Sequence, residues 1–455
     1  MAFSTLSFQA LSLILFTLTI LIVSLIRKKR NYWYSRAIPV AKGQSVLSTL
    51  PVCRLNEKHL TSYRNIAIET PIVGLHDAGK PCVLICDVQA ASIVLSNDGF
   101  VEDTEISQAH THSKIPNVIT EDNMQVVMPA MAECVKELAV SLEGLANRKM
   151  TIAPWAALKR CASNTVATCV YGETMIDSRM KAFEELCNVA MKYEKTQTAG
   201  KHLISYENAL SANCIKTMLC KAANIDIVDD EIRMDMFTFV TKAIEPTAAL
   251  VTATLYELSQ NSRIQSQLRN QLDEVLDEDL NNLTIEQLDR IPYLDSVIHE
   301  TLRKYPLMPV IRCIVTKPYS IQTKQKTLTI EPGVVTLIPV HAYHHDKIHF
   351  TNPETFHPNR FPGQLSSAYI PYGSGPQSYI GKHFIGLEAK MIVAILLSKY
   401  EFTVDKRNPG KAPNPFDKSS FSEFRVQLSS RMARNCVMEQ SLQELSKKNK
   451  LFKLF

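Results

Sequence analysis

The feature that most limits what this chain can fold into is its first 26 residues, which hold no charged side chain. From Leu11 to Ile26 only Ser12, Thr17, Thr19 and Ser24 interrupt an apolar run, and Arg27-Lys28-Lys29-Arg30 follows at once. About 20 apolar residues make one helical crossing of a bilayer, and a cationic cluster beside such a crossing stays in the cytosol. The stretch predicts a transmembrane anchor over 1–26, a basic stop-transfer segment and linker over 27–50, and a body on the cytosolic side. A cleaved signal peptide is the competing reading. It would need a positive start and a small-residue cleavage site, and neither is present.

The body is that of an ordinary globular protein. Of 455 residues, 45% are hydrophobic and 21% charged, and the net charge of +5 is spread along the chain. That distribution carries no nucleic-acid signature. The eleven cysteines show no paired spacing. They argue for a reducing compartment and against a zinc site or a disulfide framework.

Periodicity gives a mainly α chain with minor β. Two apolar runs around His76-Asp-Ala-Gly-Lys-Pro81 read as a hairpin within 70–89. Apolar residues at three- and four-residue spacing predict helices over 131–145, 155–171, 229–258, 261–279, 284–304 and 386–400. Short strands are expected over 317–341 and a loop over 353–362. Residues 437–455 read as a solvated tail, with an amphipathic helix as the alternative.

Four segments in fixed order then carry a resemblance. They are Lys242-Ala-Ile-Glu-Pro-Thr247 in a long helix, Glu300-Thr-Leu-Arg303, Phe356-His-Pro-Asn-Arg-Phe361, and Tyr369-Ile-Pro-Tyr-Gly-Ser-Gly-Pro-Gln-Ser-Tyr-Ile-Gly381. Together they resemble the cytochrome P450 family. The runs 299–310, 338–346 and 386–402 are most similar to its insect microsomal, xenobiotic-metabolising branch. The resemblance implies that fold over 51–436 behind the anchor, an endoplasmic reticulum location on the cytosolic face, and oxidation of lipophilic xenobiotics or hormones. It also implies a haem cofactor, a reductase partner and a lipophilic ligand. It gives Glu300, Arg303 and Arg360 a scaffold role, a carboxylate held between two guanidiniums.

The same resemblance exposes what is missing. The family's loop presents a cysteine thiolate to the haem iron; the matching position here is Tyr379. Gln377 stands where the family has a propionate-binding arginine. Counting back from Pro129 puts Thr120 and Met124 at two further haem-contact positions. Cys313 falls at another, with Arg312 one residue early, and on a strand a one-residue slip faces the other way. In the oxygen-activating helix Glu245 and Thr247 remain as relay positions, joined by an unusual Lys242 and by Pro246, which removes a helical hydrogen bond. The region between Gly172 and Asp235, which roofs the pocket in the family, is short, and 191–210 is too polar for a good lid. The expectation is a chain that keeps the scaffold and has lost haem or binds it weakly. Two alternatives stay open. One is a tyrosinate-ligated haem protein with peroxide-type activity. The other is an active monooxygenase with an unrecognised ligand, for which His383 is the candidate.

Overall fold

The computed structural model describes residues 2–36, 38–40, 71–77, 80–97, 99–102, 121–171, 230–276, 283–322, 327–361, 366–375, 378–379, 381–408 and 410–431. Thr120, Gln377, the segment 172–229 and the tail 437–455 lie outside the described residues.

The helices are α1 (Ala2–Tyr34), α2 (Val88–Leu95), α3 (Glu121–Asn147), α4 (Trp155–Tyr171), α5 (Asp230–Gln260), α6 (Ser262–Val275), α7 (Ile285–Asp289), α8 (Pro292–Lys304), α9 (Val340–His344), α10 (Lys382–Lys399) and α11 (Ser419–Glu423). The strands are β1 (Ile72–Asp77), β2 (Lys80–Ile85), β3 (Phe100–Glu102), β4 (Thr151–Ile152), β5 (Ile311–Val315), β6 (Tyr319–Gln322), β7 (Thr327–Ile330), β8 (Val335–Ile338), β9 (Tyr400–Thr403) and β10 (Val426–Ser430).

The helical body packs α3, α4, α5, α8 and α10 around one apolar core. Met131, Val135, Val166, Ala243, Val251, Val297, Ile392 and Leu396 are all buried in it. The expected hairpin forms, with Ile72 opposite Ile85 and Asp77 opposite Lys80. It becomes one edge of a mixed sheet in the order β1-β2-β8-β5-β3, in which only β2 and β8 run parallel. The sheet has its own core around Ile72, Val83, Phe100, Cys313 and Ile338. The six described cysteines are all buried.

Three boundaries differ from the sequence reading. The helix expected from 131 begins at Glu121 and carries Pro129 inside it; that proline hid the first turns. The span 284–304 is two helices. Thr284 and Gln287 form a reciprocal capping box that starts the short α7. Pro292, which has no N–H to donate backwards, opens α8. Finally, residues 31–34 are helix rather than linker, because α1 continues to Tyr34.

The end of α1 is built into the sheet. Trp33 is buried and its indole N–H donates to the Leu75 carbonyl at 2.8 Å. Gly74 makes room for the ring: a Cβ there would lie 2.5 Å from Trp33. The Gly74 N–H donates to the Pro39 carbonyl at 2.8 Å. Arg36 donates to both Glu331 oxygens at 2.7 Å while lying over the Tyr32 ring. The apolar side chains described earlier in α1, Leu13 to Val23, are all exposed, Leu13 to 65%. Among the described residues no helix is long and apolar enough to cross a membrane.

Candidate functional site

The buried charge centre is made by α8. Glu300 and Arg303 are one turn apart, so both side chains leave the same face, and both are fully buried. Arg303 Nε and Nη2 donate to the two Glu300 oxygens at 2.8 and 3.0 Å. The rest of its fork is spent on main chain: Nη1 to the His344 carbonyl at 2.9 Å and Nη2 to that of Pro353 at 2.6 Å. Arg360 comes from the 3-10 turn Pro358–Arg360, and its Nε lies 3.1 and 3.0 Å from the Glu300 oxygens. The His357 N–H adds a fourth donor at 2.8 Å. A carboxylate taken out of water is stable only when its lone pairs are met this fully. Arg360 in turn donates to the Thr351 and Thr355 carbonyls and holds the loop 351–360 to α8.

His344 extends this centre to the glycine loop. The Ile370 N–H donates to its Nε2 at 3.1 Å, so the ring proton sits on Nδ1 and is given to the Arg303 carbonyl at 3.0 Å. Burial and the nearby His345 and Arg303 charges push this imidazole down to about 3, so it is neutral. Tyr369 stacks on it, and its hydroxyl meets His299 Nδ1 at 2.8 Å. Sequence reasoning passed over His344; the one available signal was the polar run His341-Ala-Tyr-His-His345 after a buried strand.

The loop itself turns on two glycines with positive φ, Gly373 (73°) and Gly375 (59°). At Gly375 a Cβ would also lie 2.9 Å from the Leu95 carbonyl at the end of α2. The loop then delivers Tyr379 inward. Its N–H donates to the Tyr372 carbonyl at 2.7 Å. Its phenol donates to the Lys242 carbonyl of α5 at 2.6 Å. One turn earlier on α5, Phe239 meets Phe384 of α10 edge to face, with ring centroids 5.1 Å apart. The Phe239 ring also lies against Gly381.

That geometry decides whether haem fits between the loop and α5. A flat macrocycle needs about 3.5 Å of clearance on each face. The two walls touch through the phenol, and Phe239 closes the space beside it. Along the line from Tyr379 to Lys242 the two walls leave no such clearance with the phenol in this position.

The other positions singled out from sequence agree with this. Met124 is buried in the apolar core of α3. Cys313 is fully buried under the sheet, and Arg312 lies on the opposite, half-exposed side of β5. His383 is on the exposed side of α10. Glu245 and Thr247 are not brought together. Glu245 pairs with Lys159 of α4 at 3.5 Å and with Lys418 at 3.2 Å. Thr247, about 200° further round the helix, is fully buried, and its hydroxyl closes no full hydrogen bond among the described residues. The expected relay pair is thus a surface-side ion pair and a separate core hydroxyl.

The family model for cytochrome P450 matches residues 205–423. Cytochrome P450 6a2 of Drosophila melanogaster is 36% identical over 179 residues, 38% of this chain and 35% of that protein. At that level of identity the chain spans little more than a third of the length of the relatives it matches, between 35% and 39%. Longer alignments are weaker. The probable cytochrome P450 6a18 of the same fly is 23% identical over 88% of this chain and 94% of its own length. Cytochrome P450 6j1 of Blattella germanica is 22% identical over 85% and 90%. The order of the buried triad, the proline–arginine loop and the glycine loop runs through the matched span, and over that span the chain is similar to cytochrome P450s, insect members of the 6 type among them.

Proposed function

We propose that this chain is a cytochrome P450 scaffold that has given up haem–thiolate oxidation and works by binding a lipophilic ligand or a protein partner. The observation that carries the reading is the Tyr379 phenol on the Lys242 carbonyl at 2.6 Å. The family's proximal ligand position is spent on joining the two walls of the cofactor slot. A phenol that donates its proton to a carbonyl is also no tyrosinate, so a tyrosine-ligated haem gains no support. In this reading Glu300, Arg303 and Arg360 keep the fold, and Glu245 and Thr247 move no proton to oxygen. A reductase, the family's usual partner, would find no acceptor for its electrons.

The anchor belongs to the same proposal. Residues 1–26 cross the endoplasmic reticulum membrane, 27–50 stop transfer and lead out, 51–436 form the body on the cytosolic face, and 437–455 are a solvated tail. The support is the exposed apolar surface of α1 and the cationic cluster behind it. Thr17 and Thr19 turn their hydroxyls onto carbonyls three and four residues back, at 2.7–3.0 Å, so these hydroxyls need no water.

The test is an absorption spectrum of the full chain, expressed with added haem precursor, purified in detergent, then reduced under carbon monoxide. The expected result is no stoichiometric Soret band. A stoichiometric band would sink the reading. If that band vanished in Tyr379→Phe, the protein would be a tyrosinate haem protein and peroxide its first substrate to try.

A further inference from the structure

The core shared by α3, α4, α5 and α10 is apolar with one conspicuous exception. Glu388, in the second turn of α10, is fully buried, and neither carboxyl oxygen closes a full hydrogen bond among the described residues. Two hydroxyls beside it are in the same condition. Thr165 of α4 and Thr247 of α5 are both fully buried, and neither hydroxyl closes a full hydrogen bond among the described residues. Among the described residues these two hydroxyls are the side chains that favour the ionised carboxyl, as weak hydrogen-bond donors to it, and no described lysine, arginine or histidine acts on it. Neither donor reaches the carboxyl with full hydrogen-bond geometry.

The remaining neighbours are thiols. Cys134 of α3 and Cys161 of α4 are close enough to feel a Glu388 charge. Their own contacts are with the Thr168 hydroxyl and the Cys134 carbonyl, each at 3.7 Å. Glu137, the other acid acting on them, is at the surface and accepts from Asn164. Thiols are weak donors and acceptors and cannot satisfy a carboxyl.

Buried polar groups without protein partners are met by ordered water, which typically makes about three hydrogen bonds. This place offers three, from three different helices. A metal cation is a poor fit: one carboxyl and two hydroxyls fall short of the six or more oxygens that hard cations take. We propose that Glu388, Thr165 and Thr247 form a buried site for one water molecule and one proton, shared by α4, α5 and α10. The inference is independent of haem. Thr247, a relay position by family pattern, here holds a proton in place.

Burial raises the Glu388 carboxyl from 4.5 to about 8. The folded chain then keeps a proton that the unfolded chain releases. The folding constant falls as pH rises from 4.5 towards 8, by up to about tenfold per pH unit, and levels off above. The thiols that feel the Glu388 charge titrate higher: burial raises Cys134 from 9 to about 11 and Cys161 and Cys169 well above 9. Away from the site, the histidines of α9 are lowered from 6.5. The window between pH 6.5 and 8 therefore reports Glu388.

The experiment is urea unfolding of the full chain in detergent, across that window, for the native protein and for Glu388→Gln. The expected result is a fall in the folding constant relative to the variant, approaching tenfold per pH unit. Parallel curves would overturn the proton. Should Glu388→Gln fail to fold, infrared spectra of the native protein decide the same point. The C=O band of a protonated carboxyl should be present at pH 7 and lost with a midpoint near 8; its absence at pH 7 sinks the idea. A crystal structure tests the water. An ordered water within reach of all three side chains supports the site, and direct carboxyl–hydroxyl contacts without water overturn it.

Discussion

Pro246 and Tyr379 are two departures from the family's pattern, and they meet in one contact. A helix residue at 246 would donate its N–H to the Lys242 carbonyl four back, but proline has none. The Tyr379 phenol reaches that same carbonyl. Tyr379→Phe should therefore cost about 1 kcal/mol of stability, as the loss of a part-buried hydrogen bond does. In a Pro246→Ala background the helix supplies its own donor, and the same change should cost less than about 0.5 kcal/mol. A double-mutant cycle by chemical denaturation measures the difference, and additive effects would sever the link. Tyr379→Cys should restore the thiol without restoring room for haem, read as no Soret band under carbon monoxide. At the charge centre, Glu300→Ala would strand the buried Arg303 guanidinium and should cost about 3–5 kcal/mol, seen as loss of cooperative unfolding. The triad was legible in the sequence because i,i+3 spacing puts Glu300 and Arg303 on one face and the loop order supplies Arg360. The Tyr379–Lys242 contact was not, because it joins residues 137 apart and no local rule connects them. Glu388 was hidden for a related reason: a single acid in an apolar helix looks like a solvated position until its neighbours are known.

At the scale of elements, α9 sets the acid limit of the fold. His341 and His344 are buried, at 4% and 0% exposure, and both are held well below the ordinary 6.5 by burial and by cationic neighbours. The unfolded chain takes up protons from about pH 6.5 downward, while folded His344 does so only near 3. Stability should fall as pH falls through that range, by up to about 1.4 kcal/mol per pH unit for each histidine. Glu388 acts with the opposite sign between 4.5 and 8. Thermal melts across pH should therefore show a maximum near 6.5, and Glu388→Gln should flatten its alkaline side and steepen its acid side between 4.5 and 6.5. Most helices were legible from periodicity, since α4, α5 and α10 each present a continuous apolar face to one core. The failures were at prolines. Pro129 sits inside α3 and masked its start, whereas Pro292 divides α7 from α8. The sequence pattern alone does not say which proline a helix tolerates; the packing around it does.

At the scale of the whole molecule, the helix α1 was legible as an uncharged apolar run before a cationic cluster, but its far end was not. Residues 31–34 looked like the start of a linker, and only the tertiary contacts of Trp33 reveal that the helix enters the body. With α1 in a bilayer as proposed, that joint leaves no swivel at the membrane surface. The Trp33 ring wedged over Gly74 and the Arg36–Glu331 clamp make helix and sheet one stiff lever. A tilt of α1 would then be passed undiminished to the β1–β2 edge, and the body could not nod independently of its mast. Trp33→Ala should turn the lever into a hinge, visible as faster anisotropy decay of a dye on the body in nanodiscs. With such a lever, bilayer thickness itself, by setting the tilt of α1, would set which face of the body meets the lipid.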